Sequence, residues 1–151
     1  MKDTSFNQVK MAATNFIASE LCLLFFNMYG YNQGMPTIKD MIESNSPDVI
    51  LLQEHWLTRT NLVKFDNDFS DYNLFGSSAL DRDVESGPLL GRPYRGTVIL
   101  VKNSLLNVCT CIAVSERYVI IKIGGLLCVN VYLPCTGTTD RQLVCSDILE
   151  N

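Results

Sequence analysis

Ser46-Pro47-Asp48-Val49-Ile50-Leu51-Leu52-Gln53-Glu54-His55-Trp56-Leu57 is the stretch on which the reading of the chain turns. A Pro-Asp turn leads into four consecutive apolar residues, Val49 to Leu52, and the run stops at a Gln-Glu pair. Short, rich in branched side chains and bounded by turn chemistry, it reads as a fully buried strand. A carboxylate at the exit of such a strand is held rigidly at the rim of a sheet, where binding and catalytic acids are often found. Taken alone, the stretch favours the plainer reading, with Glu54 simply the first solvated residue after the strand.

Working outward, Leu21 to Phe26 reads as another buried strand, ending at Asn27. Gly30 to Gly34 reads as a loop. Pro36 and Thr37 are expected to open a helix, with Asp40 in a capping-box position and Ile38, Met41 and Ile42 as its apolar stripe. Beyond the central stretch, Thr58 or Thr60 is placed to cap a helix carrying Leu62, Phe65 and Phe69 on one face. Tyr72 to Phe75 reads as a short strand, and 77–95 as a long, acid-rich loop with Asp81, Asp83 and Glu85. Four further strands follow: Thr97 to Val101, Leu106 to Val114, Tyr118 to Ile123 and Leu126 to Tyr132. The Gly124-Gly125 pair turns the last two into a hairpin. A final helix, capped by Thr138 or Thr139, is expected to point Leu143, Val144, Ile148 and Leu149 inward. Residues 1–20 show weak periodicity and read as a loose arm, leaving 21–151 as the domain. The order βαβαβ, then an antiparallel run and a helix, predicts a mixed α/β layered fold.

Composition narrows the function classes. At 151 residues the chain suits one domain with a sizeable core. It is 47% hydrophobic with mean hydropathy +0.13. No apolar run approaches bilayer length, and the N-terminus lacks a basic region followed by an apolar one. An intracellular, non-secreted protein without membrane partners is expected, nuclear or cytoplasmic. The six cysteines lie mostly in strand-like runs and show no paired two-residue spacing or nearby His cluster, which favours buried free thiols over disulfides or zinc. With a single histidine, a His-based metal site is excluded. The net charge of −4 makes the chain a poor ligand for a phosphate backbone unless a cation bridges the like charges.

Three strands end in groups with chemistry: Asn27, Glu54 and Tyr132. If the strands are neighbours, an amide, a carboxylate and a phenol share one rim. Glu54 would then ligate Mg²⁺, which takes one or two carboxylates and keeps several waters. Asn27 and Tyr132 would donate to phosphate oxygens or to an attacking water. Among neighbouring groups, His55 reads as packing; Trp56 reads first as a core or cap residue, with stacking on a base the lesser alternative; and Arg92, Arg95 and Lys102 read equally as contacts to a phosphate backbone or as solubilising charges.

Phe26-Asn27, Gln53-Glu54 and Asn130-Val131-Tyr132-Leu133-Pro134 resemble, in order and separation, the first three motifs of the endonuclease/exonuclease/phosphatase superfamily. Gln53-Glu54-His55-Trp56-Leu57 is most similar to the apurinic-type endonuclease domains of LINE-type retrotransposons. The resemblance implies the N-terminal portion of a four-layered, DNase I-like α/β/β/α sandwich, with mixed, mostly antiparallel strands and flanking helices. It implies Mg²⁺-dependent phosphodiester hydrolysis on DNA in full-length relatives, with Asn27, Glu54 and Tyr132 catalytic and Glu54 the metal ligand. Tyr29, Cys135 and Arg95-Gly96 depart from the family pattern. The later motifs, a Gly-Asp-Phe-Asn-like strand end and an Asp-His pair, have no counterpart here. The expectation is therefore a chain inactive alone, with one sheet whose bare inner face invites a protein partner or aggregation. A non-catalytic interaction module or retroelement-derived remnant is the competing expectation.

Overall fold

The computed structural model describes residues 9–11, 20–78, 95–133 and 139–150. Within these, strands β1 (Val9–Met11), β2 (Leu21–Asn27), β3 (Val49–Gln53), β4 (Tyr72–Ser77) and β5 (Thr97–Lys102) form one sheet in the order β1-β2-β3-β5-β4. Strands β6 (Cys109–Val114), β7 (Tyr118–Ile123) and β8 (Leu126–Val131) form a second, antiparallel sheet. In the first sheet only β2 and β3 run parallel, joined by helix α1 (Tyr31–Asn45). Helix α2 (Val63–Asp68) follows β3, and α3 (Thr139–Glu150) follows β8. Of the segment expected as a loose arm, Val9–Met11 adds an antiparallel edge strand to β2.

Side-chain alternation explains the layering. Along β3, Val49 and Leu51 point one way and Ile50 and Leu52 the other, and all four are buried because both sheet faces are covered. Ile50, Leu52, Val98 and Leu100 pack under α1 and α2 with Met35, Ile38, Phe65 and Phe69. Val49, Leu51, Ile99 and Val101 meet Val119, Ile121, Ile123 and Cys128 of the second sheet. Outside that sheet, Tyr118 and Ile120 pack on Val144, with Ile148 alongside. The result is a four-layered α/β/β/α sandwich, as expected from the sequence.

The structure corrects several readings. Both sheets lie within this chain, so the inner face of the first sheet is not bare. Residues 109–131 supply its cover, and the expected large apolar patch reduces to scattered exposure, Phe25 on β2 being 44% exposed. Helix α1 begins at Tyr31, with Pro36 inside it and no capping-box hydrogen bond. Gly34 does not serve a loop; a Cβ there would lie 2.8 Å from the Met28 Cβ, so glycine lets the helix sit against the residue just past β2. Leu106 to Val108 is a 3₁₀ turn rather than strand. In α3 only the Val144/Ile148 stripe faces the sheet, leaving Leu143 and Leu149 exposed. Of the cysteines expected to be buried, Cys128 is, whereas Cys111 is exposed. Asp81, Asp83, Glu85, Arg92 and Cys135 lie outside the described residues. Among the described residues, no helix is long and apolar enough to cross a membrane.

Ile121 is fully buried between the sheets. Ile121→Ala should destabilise the fold by roughly 2–5 kcal/mol. Urea unfolding beside Lys122→Ala, whose side chain is exposed on the same strand, provides the check. Equal losses would mean that the sheets do not pack as described.

Candidate active-site rim

The parallel strands β2 and β3 end side by side, with Asn27 registered opposite Gln53. Just past their ends the backbone turns sharply. Tyr29, Glu54, Trp56 and Arg95 take left-handed φ values of 49°, 54°, 57° and 74°, unusual for residues with side chains. Backbone hydrogen bonds tie these turns together: Met28 N–H donates to the Gln53 carbonyl, Gly30 N–H to Glu54 and Tyr31 N–H to His55. On the other side, Trp56 N–H donates to the Arg95 carbonyl. The positive φ at Glu54 interrupts strand alternation and redirects its carboxylate. Asn27 Nδ2 donates to Glu54 Oε1 at 2.9 Å, while Asn27 Oδ1 accepts from the Tyr29 N–H at 3.0 Å. The amide and the acid singled out from sequence are therefore in direct contact.

Tyr132 lies just past the end of β8 and not, as expected, at the end of a strand neighbouring β2 and β3. Its strand, β8, belongs to the second sheet and is not a neighbour of β2 or β3 in one sheet. Two amides span the gap. Asn130, 1% exposed, donates from Nδ2 to the carbonyls of Leu52 and Val98, both at 2.9 Å. Gln53 Nε2 donates to Asn130 Oδ1 at 3.1 Å and to the Val131 carbonyl at 3.0 Å. Glu54 follows Gln53 and Tyr132 follows Val131, so each lies one residue beyond a cross-sheet bond. Tyr132 N–H donates to the Arg117 carbonyl at 2.7 Å, fixing where its strand ends. Sequence reasoning used Gln53 and Asn130 only as motif letters; the signal for their role was two amides at inward positions of otherwise apolar strands.

His55 is fully buried. Its Nδ1 accepts the Leu57 N–H at 3.0 Å, which leaves Nε2 to carry the proton and donate to the Ser77 carbonyl at 3.2 Å. The ring meets Phe65 edge-on, and a Cβ at Gly96 would fall 2.3 Å from Nε2. His55 is thus a packing residue, and glycine at 96 makes room for it. Burial lowers its pKa from 6.5 to about 4, offset in part by the bond to Ser77.

The donor set suits a hard cation only in the manner of Mg²⁺. Asn27 occupies one oxygen of Glu54 and leaves the other available. Among the described residues, no three His, Cys, Asp or Glu side chains gather as a cage. One carboxylate, with waters and a substrate phosphate completing the shell, is a Mg²⁺ pattern rather than that of a dedicated all-protein site.

No family model matches the chain, and no curated protein does. Solved structures do match. An AP endonuclease from Archaeoglobus fulgidus is 18% identical with a TM-score of 0.54, over 85% of this chain and 48% of that one. The AP endonuclease LMAP from Leishmania major is also 18% identical with a TM-score of 0.54, over 81% and 43%. The 3′ phosphatase NExo from Neisseria, solved with a product DNA hairpin, is 17% identical with a TM-score of 0.50, over 73% and 40%. At such identities the likeness is one of fold: the DNase I-like sandwich of exonuclease, endonuclease and phosphatase enzymes. This chain spans about half or less of their lengths.

His55 makes a direct check possible, because it is the sole histidine. Between pH 6.5 and 4 the unfolded chain binds a proton that the folded chain refuses. The stability this confers, about 3 kcal/mol at most, is complete above pH 6.5 and lost as pH falls toward 4. An NMR titration should show the imidazole signals nearly unmoved down to about pH 5, with a midpoint near 4. A midpoint near 6.5 would contradict the buried neutral ring.

Proposed function

We propose that this chain is the metal-binding portion of a Mg²⁺-dependent phosphodiesterase of the apurinic-type endonuclease kind, related to those of LINE-type retrotransposons. Its full-length relatives act on DNA, and this chain alone is inactive. The observation that carries the reading is the Asn27–Glu54 hydrogen bond at the end of two parallel strands. It holds one carboxylate in a fixed orientation at an exposed rim, and Gln53 ties that rim to the strand bearing Tyr132. The likeness to DNA-processing enzymes of this fold supports the substrate class.

Glu54 is the residue that would hold Mg²⁺, which supplies Lewis-acid polarisation of the phosphoryl group and charge relief on the leaving oxygen. Asn27 orients the Glu54 carboxylate and lowers its freedom to rotate. Tyr132 donates its phenol to a phosphate oxygen. With a net charge of −4, the chain approaches a phosphodiester only where the cation offsets the repulsion. Support for inactivity comes from the family's Gly-Asp-Phe-Asn-like and Asp-His motifs, which have no counterpart in these 151 residues. A second reading, a non-catalytic interaction module or remnant, draws on the exposure of Phe25 and on β8 pairing with β7 alone among the described residues.

Mn²⁺ substituted for Mg²⁺ and followed by electron paramagnetic resonance tests the proposal. Weak binding lost in Glu54→Gln is expected, together with nicking of supercoiled or abasic DNA at background. Binding unchanged in Glu54→Gln would remove the metal-site reading in favour of the interaction module. Strong Mg²⁺-dependent nicking abolished by Glu54→Gln would overturn the inactivity.

A further inference from the structure

Beside Glu54 stands a pair of aromatic rings that the hydrolytic reading leaves unused. Tyr29 is 69% exposed, and its ring centroid lies 5.1 Å from that of Trp56, tilted by 58°. Neither residue sits in a relaxed backbone. Both are left-handed, a strained conformation for a bulky side chain and one that clusters at binding sites. Two devices hold them there: the Tyr29 N–H bound to Asn27 Oδ1, and the Trp56 N–H bound to the Arg95 carbonyl. The same Asn27 that orients Glu54 therefore also orients Tyr29. Trp56 carries a further oddity, since its Nε1 is buried without a hydrogen-bond partner among the described residues, a cost usually tolerated only for a reason.

Trp56 also lines a cleft of about 280 Å³ together with the exposed residues Asn32, Gln33 and Lys64, the Lys64 Nζ lying 5.7 Å from the centroid of the Tyr31 ring. That volume lies just below the usual range for ligand clefts, which suits a single base or sugar rather than a larger group. An open aromatic face, side-chain amides and one cation match the parts of a nucleotide: a flat π surface, a hydrogen-bonding edge and a phosphate. The electrostatics select the form of the nucleic acid. A chain of net charge −4 gains little from the dense phosphates of a duplex, so its affinity must come from stacking, which needs bases already out of the helix.

We infer that Tyr29, backed by Trp56, is a stacking platform for an unpaired nucleobase, holding a single-stranded or flipped nucleotide beside the Glu54 rim. This rests on the proposed nucleic-acid reading, but requires neither a metal nor catalysis.

Trp56 is the only tryptophan, so its fluorescence reports on this site alone. The full chain, in buffer containing EDTA, is titrated with a thymidine dodecamer and with a deoxyribose-phosphate oligomer of equal length lacking bases. Saturable quenching by the dodecamer and little by the base-free oligomer is expected. Tyr29→Phe should retain the quench, and Tyr29→Ala should weaken binding roughly 5- to 100-fold. Tyr29→Gly guards against misfolding: relieving the left-handed strain should preserve or raise the melting temperature while binding is lost. Equal binding of both oligomers, or unchanged affinity in both Tyr29→Ala and Tyr29→Gly, would overturn the platform. Because EDTA removes any metal, quenching without Mn²⁺ binding at Glu54 would uphold the platform and defeat only the hydrolytic reading. Mn²⁺ binding at Glu54 without quenching would do the reverse.

Discussion

A single buried amide sets the distance and register between the two sheets. Asn130 sits on the inner face of β8, and its two N–H groups are spent on the carbonyls of Leu52 and Val98, which belong to adjacent strands of the opposite sheet. Its own oxygen accepts from Gln53, so each polar group of the side chain has a partner. In a low-dielectric interior, such a satisfied network is specific. Sliding the sheets by one residue would strand donors at a cost of about 1–3 kcal/mol each, whereas a purely apolar interface resists sliding weakly. Val119, Ile121, Ile99 and Val101 supply the bulk of the burial around it. Apolar packing holds the layers together, and the amide decides where along the strands they meet.

That registration places the rim. Once Gln53 is drawn to Val131, the next residue of each strand, Glu54 and Tyr132, is delivered to the same end of the sandwich. The backbone beyond then has to turn at once, which accounts for the cluster of left-handed residues and for Gly30 and Gly96 among them. His55 fills the space beneath the turn, neutral and hydrogen-bonded on both nitrogens. The strain at Tyr29, Glu54 and Trp56 is offset by the backbone bonds that knit β2, β3 and the start of α1. Rigidity at the rim thus comes from below, from a packed imidazole and a cross-sheet amide, and not from the exposed groups themselves.

Much of this could be read from residues alone, and the boundary has physical causes. Buried strands such as Val49–Gln53 and Leu21–Asn27 announce themselves by continuous apolar runs with polar ends. That Asn27 and Glu54 share a rim follows from their places at two strand ends, on the condition that the strands are neighbours. What period-two alternation cannot say is which sheet a strand joins, so the strands over 109–131 read from sequence as part of one sheet although they form a second. Helix α1 opens earlier than the sequence predicts because Gly30 to Gly34 has the composition of a loop. In fact Gly34 answers to a close approach of Met28, a tertiary demand with no local signature. Gln53–Asn130 and Tyr29–Trp56 were invisible for a related reason, since both are contacts between segments distant in sequence.

The central claim is that Asn130 locks the sheets, and its side-chain amide protons report on this directly. Hydrogen exchange on ¹⁵N-labelled protein, with the signal assigned by its loss in Asn130→Asp, should find that NH₂ pair protected as strongly as the core strand amides of β3 and β5. Exchange at the rate of a solvated asparagine would contradict the account, for the two layers would then meet without the bond that aligns them.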